Sequence, residues 1–283
     1  MKQETITFWL GCHVLRHSDL IRTSVEVLKR IGVDARTVGG PKYCCGTIKD
    51  MNLRAATGMG QGAVKRFTQF GNDTVITYCP SCQTHLDDFI SETVDLEFDY
   101  SPFVEFLHAH KSELAAQMNR PIHRRVALHL HSGFQLKVPI NQMATELLML
   151  IPGLEVVQHD IRTPGIHCTG AQVAVPGMSS DMEESLRRLR NEYAVDDVVT
   201  IFHSCQRQLC IFDGLDGLRL INFIKLLGSA MGIEIKGDVF GEWKNAGDEV
   251  SIREAIGEER IDVIGREAFE KLILPELKQN VKV

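Results

Sequence analysis

Two ten-residue stretches, 123 positions apart, set the strongest limit on how this chain folds. Thr77 to Leu86 reads TYCPSCQTHL and Thr200 to Leu209 reads TIFHSCQRQL, identical at five of the ten positions: the Thr, the Ser, the Cys, the Gln and the Leu. Self-similarity at a fixed offset is the mark of one structural unit used twice. The same offset sets Cys45 on Cys168 and Cys44 on His167, while a slightly different one, absorbed by loop length, sets Cys12 near Ser132.

Local patterns inside each copy agree with that division. TITFWLGC reads as a buried strand ending at Cys12, and SDLIRTSVEVLKRIGV as a helix with Ser18 or Asp19 as its N-cap. DARTVGG is a short strand entering the loop that carries Cys44 and Cys45; residues 51–69 follow as a helix, and DTVITYC is a strand that delivers Cys79. The order then restarts with RRVALHLHS as strand, INQMATELLMLIPG as helix, LEVVQH as strand, SSDMEESLRRLRNEYA as helix and DDVVTIFHSC as a strand ending near Cys205. Strand and helix alternating through short links predict an α/β fold with parallel sheets. The expected architecture is two tandem, pseudo-symmetric Rossmann-like units, residues 1–120 and 121–235, plus a C-terminal helical tail over 236–283. The tail, with SIREAIGEERI and REAFEKLILPELK, reads as charged helices packed on the surface or against a partner.

Composition narrows the function classes. A net charge of -6 gives no electrostatic reason to expect nucleic-acid binding. The N-terminus lacks a basic region followed by an apolar run and a small-residue cleavage site, so a cytoplasmic location without a secretory signal is expected. Leu218 to Ile235 is the most apolar helix candidate, but Arg219, Asn222 and Lys225 lie inside it. A bilayer span needs roughly 20 largely uncharged residues, so an amphipathic helix is expected there and no transmembrane segment. Eight cysteines in a chain of 283 residues without an export signal point to metal or redox chemistry more than to a disulfide scaffold.

Five of those cysteines fall at strand ends or in the loops beside them: Cys12, Cys44, Cys45, Cys79 and Cys82. In a parallel α/β unit the carboxyl ends of the strands converge on one edge, where ligands bind. Neighbouring Cys44 and Cys45 are poorly placed to bridge each other. Cys79-Pro80-Ser81-Cys82 is a C-x-x-C, a spacing that turns two thiolates toward one metal centre, and a helix starting there would favour the thiolate form through its N-terminal dipole. A thioredoxin-like redox motif would leave Cys12, Cys44 and Cys45 without a use. A structural zinc site takes four ligands and has no place for a fifth. Inert buried thiols are common, but five at strand ends are a poor match to that explanation. Soft thiolates in this number favour an iron–sulfur centre.

The spacing Cys12-(31 residues)-Cys44-Cys45-Gly46-(32 residues)-Cys79-Pro80-Ser81-Cys82 resembles the cysteine-rich CCG domain. That domain occurs in one of the subunits of heterodisulfide reductases and in quinone-linked subunits of some respiratory dehydrogenases, usually as two copies per chain. The resemblance implies one atypical [4Fe-4S] cluster, with some irons bridged by cysteine sulfur, held by Cys12, Cys44, Cys45, Cys79 and Cys82. Gly46 would let the backbone approach that cluster closely or take positive φ. It further implies an oxidoreductase subunit of a heterodisulfide reductase-like complex, acting on disulfide or carrier-bound sulfur, with the sulfur-oxidising type the best match. The implied partners are a ferredoxin-like iron–sulfur subunit, a flavin-containing subunit and a lipoyl-carrying protein. A quinone-linked electron-transfer subunit and a non-catalytic zinc or scaffold subunit remain as alternatives; no basic amphipathic helix supports the quinone-linked form.

The second copy departs from the motif. Ser132 stands near the first cysteine's place, His167-Cys168-Thr169-Gly170 replaces the CCG run, and Phe202 replaces the first cysteine of C-x-x-C. A packing partner for the first half is one expectation. A zinc site built from His131, His167, Cys168, His203 and Cys205 is another, because mixed Cys and His ligands suit zinc. Gly58 to Gly62 lies within a helical pattern and reads as small residues where a helix packs close to the sheet. His13 and His17 flank Cys12 and either tune the centre or decorate the helix start.

Overall fold

The computed structural model describes residues 4–12, 17–46, 52–131, 137–161, 178–237 and 239–278. Its framework is two four-stranded parallel sheets of the same strand order. The first consists of β1 (Glu4–Trp9), β2 (Val33–Val38), β3 (Thr74–Thr77) and β4 (Asp99–Pro102), ordered β2-β1-β3-β4. The second consists of β5 (Arg125–Leu128), β6 (Glu155–Val157), β7 (Asp197–Thr200) and β8 (Arg219–Asn222), ordered β6-β5-β7-β8. The central strands are covered on both faces: Ile6 to Trp9 of β1 and all of β7 are buried, with Thr7, Asp197 and Thr200 interrupting the apolar run. Register fixes the repeat: Thr7 lies opposite Val75 as Ala127 lies opposite Val198. The offset is therefore 120 at the first strand and 123 at the third, which puts Gly11 in the place of His131 and Cys79 in the place of Phe202.

In the first unit α1 (Ser18–Arg30), α2 (Leu53–Thr68), α3 (Pro80–His85), α4 (Phe103–Ala109) and α5 (Lys111–Gln117) follow the strands. The second carries α6 (Ile140–Leu148), α7 (Met178–Tyr193), α8 (His203–Leu209) and α9 (Phe223–Ala230). The two units share one apolar layer. Within it α1 packs on α9 and α4 on α6, two contacts that exchange under the repeat. Ile6, Phe8, Leu28, Phe103 and Leu107 meet Val126, Leu147, Ile224 and Leu227 there. At Gly228 of α9 a Cβ would stand 2.6 Å from the Thr23 methyl of α1, so this close helix approach requires glycine. The outer face of the first sheet is covered by α2 and the stretch after α3 through Trp9, Phe67 and Ile90. Leu186 and Leu189 of α7 do the same for the second.

Three sequence expectations change in detail. The strand expected to end near Cys205 stops at Thr200, and Cys205 lies in α8. The expected long helix over Leu218 to Ile235 is a strand followed by a helix: Arg219–Asn222 forms β8 and only Phe223–Ala230 is α9. Asn222 makes the break, since its side-chain Nδ2–H donates to Thr200 Oγ1 at 3.1 Å while its Oδ1 caps the Ile224 N–H at 3.1 Å. Neither Ser18 nor Asp19 caps α1; that position belongs to His17, in a left-handed conformation with φ 52°. Asp19 is turned instead to Lys225 of α9, 3.3 Å away, in a buried ion pair between the units.

The tail folds as α10 (Val239–Asn245), α11 (Glu249–Ile256), α12 (Glu258–Ile264), α13 (Arg266–Ala268) and α14 (Leu274–Lys278) around its own core of Phe240, Ile252, Phe269 and Leu277. It docks on both units. Phe240 meets the His17 ring edge-on at 5.0 Å. Lys244 and Asn245 donate to the Arg207 and Cys210 carbonyls at 2.6 and 2.9 Å. Among the described residues no helix is long and apolar enough to cross a membrane.

Candidate metal centre

Backbone hydrogen bonds continue past the ends of the first sheet and draw its cysteine-bearing loops together. Leu10 N–H donates to Val38 O, Gly40 N–H to Gly11 O at 2.8 Å, and Tyr78 N–H to Trp9 O at 2.9 Å. The segment leading to Cys12 thus lies between the one leading to Cys44 and the one leading to Cys79. The Trp9 indole N–H donates to Tyr43 O at 2.8 Å, tying the residue before the cysteine pair to the central strand. Tyr43 in turn stacks on Phe67 of α2 at an interplanar angle of 12°. Cys79 sits at the N-cap of α3 with Pro80 at the first helical position, where a missing N–H costs nothing. The N–H groups of Cys82 and Gln83 donate to its carbonyl.

The five sulfurs form one interacting group. The Cys12 thiol is pushed up from its ordinary range, first by its hydrogen bond to Cys44, then by burial and the other sulfurs. Cys45 is raised by its bond to Cys44, against a lowering one to Cys82. Bonds to Cys45 and Cys79 raise Cys82. Cys79 alone is held well below the usual thiol range, because it accepts from Cys82 and, beyond that, because His203 stands beside it. The chain of sulfurs thus concentrates thiolate character at Cys79. The expectation that the C-x-x-C helix start favours the thiolate form holds at Cys79 and not at Cys82, with neighbouring sulfur the leading cause in both.

Two glycines shape the site. Gly46 has φ 85°, as expected of it, but its missing Cβ makes room for the Ala56 carbonyl of α2, 2.5 Å from where that Cβ would lie. Gly11, which sequence reasoning passed over, faces the sulfurs. It has φ 77°, and a Cβ there would lie 3.1 Å from Cys82 Sγ and 3.2 Å from Cys79 Cβ. Its position directly before Cys12, at the end of a strand, was the available signal. Of the glycines in α2 Gly60 alone is closely packed, against the stretch after α3 and not the sheet: its Cβ would fall 2.9 Å from Ile90, while Gly58 meets nothing within 4 Å and Gly62 only Arg66 of its own helix.

Residues 6–87 match the family model of the cysteine-rich domain, CCG. This segment is a CCG domain. Over 204 residues the chain is 22% identical to an uncharacterized iron–sulfur protein of Methanocaldococcus jannaschii, an alignment covering 71% of this chain and 40% of that relative. The chain thus spans about two-fifths of the length of the relative it matches. Among solved structures it is similar to a putative Asp/Glu racemase from Yersinia pestis, at 8% identity, a TM-score of 0.40, and coverage of 81% of this chain and 97% of that one. It is also similar to the Picrophilus torridus aspartate racemase, at 12% identity, a TM-score of 0.35, and coverage of 82% and 96%.

The residues expected to form a second site are placed differently. His167 and Cys168 lie outside the described residues, as do His13 and Ser132. Cys205 is buried in the apolar layer between the units, with Val199 and Phe202. His131 leaves β5 with its backbone N–H and C=O bracketed by the Asn141 side chain at 2.9 and 3.1 Å. Its ring meets Phe202 edge-on at 4.9 Å. His203 turns away from the second sheet and stacks on Tyr78 of the CCG domain at 5.0 Å and an interplanar angle of 9°. Among the described residues no three His, Cys, Asp or Glu side chains surround a point where one metal ion would sit. The five cysteine thiols are joined by hydrogen bonds, Cys12 and Cys45 to Cys44, and Cys82 to Cys45 and Cys79. An all-sulfur set of five, mostly buried, is chemically matched to a centre of several soft metal ions bridged by sulfur.

Proposed function

We propose that the chain is an iron–sulfur redox subunit whose CCG domain holds one atypical [4Fe-4S] cluster on Cys12, Cys44, Cys45, Cys79 and Cys82. The reading extends to the heterodisulfide reductase-like type, acting in the cytoplasm on disulfide or carrier-bound sulfur. One observation carries it: five cysteines spread over seventy residues of sequence interact as a single group, three of them buried, at the carboxyl edge of a parallel sheet. The iron–sulfur designation of the Methanocaldococcus jannaschii relative supports it.

When bound, such a cluster supplies single-electron transfer and an iron to which a substrate sulfur can attach. The chain's own residues set the conditions. Burial of Cys45, Cys79 and Cys82 keeps water from the inner ligands, while Cys12 and Cys44 remain half-exposed and mark the side open to a substrate. Gly11 leaves the space beside Cys79 and Cys82 clear. Converting one disulfide to two thiols takes two electrons and two protons. A ferredoxin-like subunit and a flavin-containing subunit would carry the electrons, and a lipoyl-carrying protein would present the sulfur.

Anaerobic purification followed by iron, acid-labile sulfide and zinc content per chain tests this reading, with EPR after oxidation. About four irons per chain, and an oxidised-state signal perturbed by added thiol, are expected. Zinc without iron in oxygen-free material overturns it.

A further inference from the structure

The second unit has exchanged three of the motif's cysteines for other residues, yet it sends one side chain into the first unit's site. His203 opens α8, at the position that Pro80 holds in α3. It is only 5% exposed, and its ring lies nearly parallel to Tyr78, the residue immediately before Cys79. The imidazole stands next to the Cys79 sulfur, and its Nε2 is buried without a hydrogen-bond partner. A buried nitrogen without a partner, on a ring that stands beside a thiol, marks a place where a bond is still to be made. The stack on Tyr78 fixes the plane of the ring, so its direction toward Cys79 is set by packing rather than by solvent.

We infer that His203 is a positioning residue for the metal centre of the opposite unit, donating an imidazole N–H to sulfur at Cys79 or at the group bound there. The inference rests on the cluster reading above. An N–H directed at a ligand sulfur withdraws electron density and stabilises the reduced centre, which raises the reduction potential. Neutral imidazole carries an N–H as imidazolium does, so no protonation step is involved. Through this contact the second unit tunes chemistry that it does not itself perform. Pro80, the equivalent residue of the first unit, has no side-chain donor, so the device runs in one direction only.

His203→Phe keeps a flat ring for the Tyr78 stack and removes the donor; His203→Gln removes the ring and keeps an N–H. Both are made in the full chain and purified anaerobically, then compared with the wild type for iron and sulfide content, EPR signature and midpoint potential. The expected result is a full complement of iron in both, a potential shifted negative with altered EPR g-values in His203→Phe, and a smaller shift in His203→Gln. Loss of iron in His203→Phe with retention in His203→Gln supports the inference equally, the donor then being needed to seat the ligand. A His203→Phe protein with full iron and an unchanged potential and spectrum overturns the inference and leaves the cluster reading standing. Loss of iron in both variants also overturns it, since an N–H supplied by glutamine would then fail to seat the centre. Absence of iron from the wild type fails the cluster reading and the inference together.

Discussion

The two units share a skeleton down to individual hydrogen bonds, and they part company at one edge. In both, a threonine at the end of the third strand donates to a glutamine six residues on, Thr77 to Gln83 at 2.6 Å and Thr200 to Gln206 at 2.7 Å. The Thr and Gln that match in the sequence repeat are therefore a strand-to-helix latch and owe their places to architecture. The cysteines follow no such rule. Cys79 and Phe202 occupy the same N-cap with nearly the same φ, -97° and -100°, yet one is a ligand-type sulfur and the other a wall of the shared core. Gly11 clears space for sulfur where His131 fills it. The comparison teaches that this fold carries its chemistry in the strand-end loops and keeps its stability elsewhere, so one can be lost without the other.

Substituting the paired positions separates the two roles most sharply. Cys82→Ser is expected to bring iron and sulfide down to background, whereas Cys205→Ser leaves the metal content intact. The latter costs stability on the order of 1–2 kcal/mol, from placing a hydroxyl in an apolar layer; metal analysis beside urea denaturation reads both. Next in size is a feature found only in the second unit. Asp197 is fully buried and is gripped by Arg124 and by Arg219, the latter at 2.7 Å, while the equivalent residue in the first unit is Thr74. Asp197→Ala is expected to lower stability by about 2–3 kcal/mol, the half-exposed arginines reducing the loss from its fully buried value. Thr74→Ala should fall within about 0.5 kcal/mol.

Gly11→Ala addresses the clearance at the sulfurs. A left-handed alanine costs roughly 1–2 kcal/mol, and the added methyl would press on Cys82, so iron content per chain should fall alongside the melting temperature. A fully loaded Gly11→Ala protein would show that the space beside Cys79 and Cys82 is not used by the centre. At the latches stability alone is expected to change, with the metal content intact. Thr77→Val leaves the Gln83 carbonyl short of a donor, at about 1 kcal/mol. Thr200→Val should cost about 2 kcal/mol, because Asn222 loses its Thr200 acceptor at the same time. Equal losses in a denaturant titration would mean that the Asn222 bond adds nothing.

Much of this arrangement was legible in the sequence. Strand cores of Val, Ile and Phe, and the CCG and C-x-x-C spacing, are local signals, and strand-end convergence follows from parallel topology. The last strand of each unit was harder to see. Asp99–Pro102 is four residues with no apolar alternation, and Arg219–Asn222 runs straight into an apolar helix, so its helix-like neighbours concealed it until Asn222 turned the chain. Long-range pairings were illegible for a different reason. Nothing in the residues near Asp19 points to Lys225, and nothing in TIFHSC shows that His203 leaves its own sheet for Tyr78. Those choices are made by the packing of one unit on the other. Gly11 sits between these cases, since its place beside a cysteine was visible while the direction its α-carbon faces was not.

The apolar layer between the sheets bears on the history of such a molecule. After a duplication, a copy that no longer performs chemistry is ordinarily free to decay or be deleted. Here each copy forms half of the other's interior, and Gly228, Lys225 and Asp19 bind the two at residue-level fit. Ligands could be shed from the second copy one at a time, but the copy itself could not be discarded without stripping the hydrophobic wall from the first. Inheritance of the second half is then enforced by mechanics, which leaves a scaffold that selection is obliged to keep and on which a role such as the one proposed for His203 can arise.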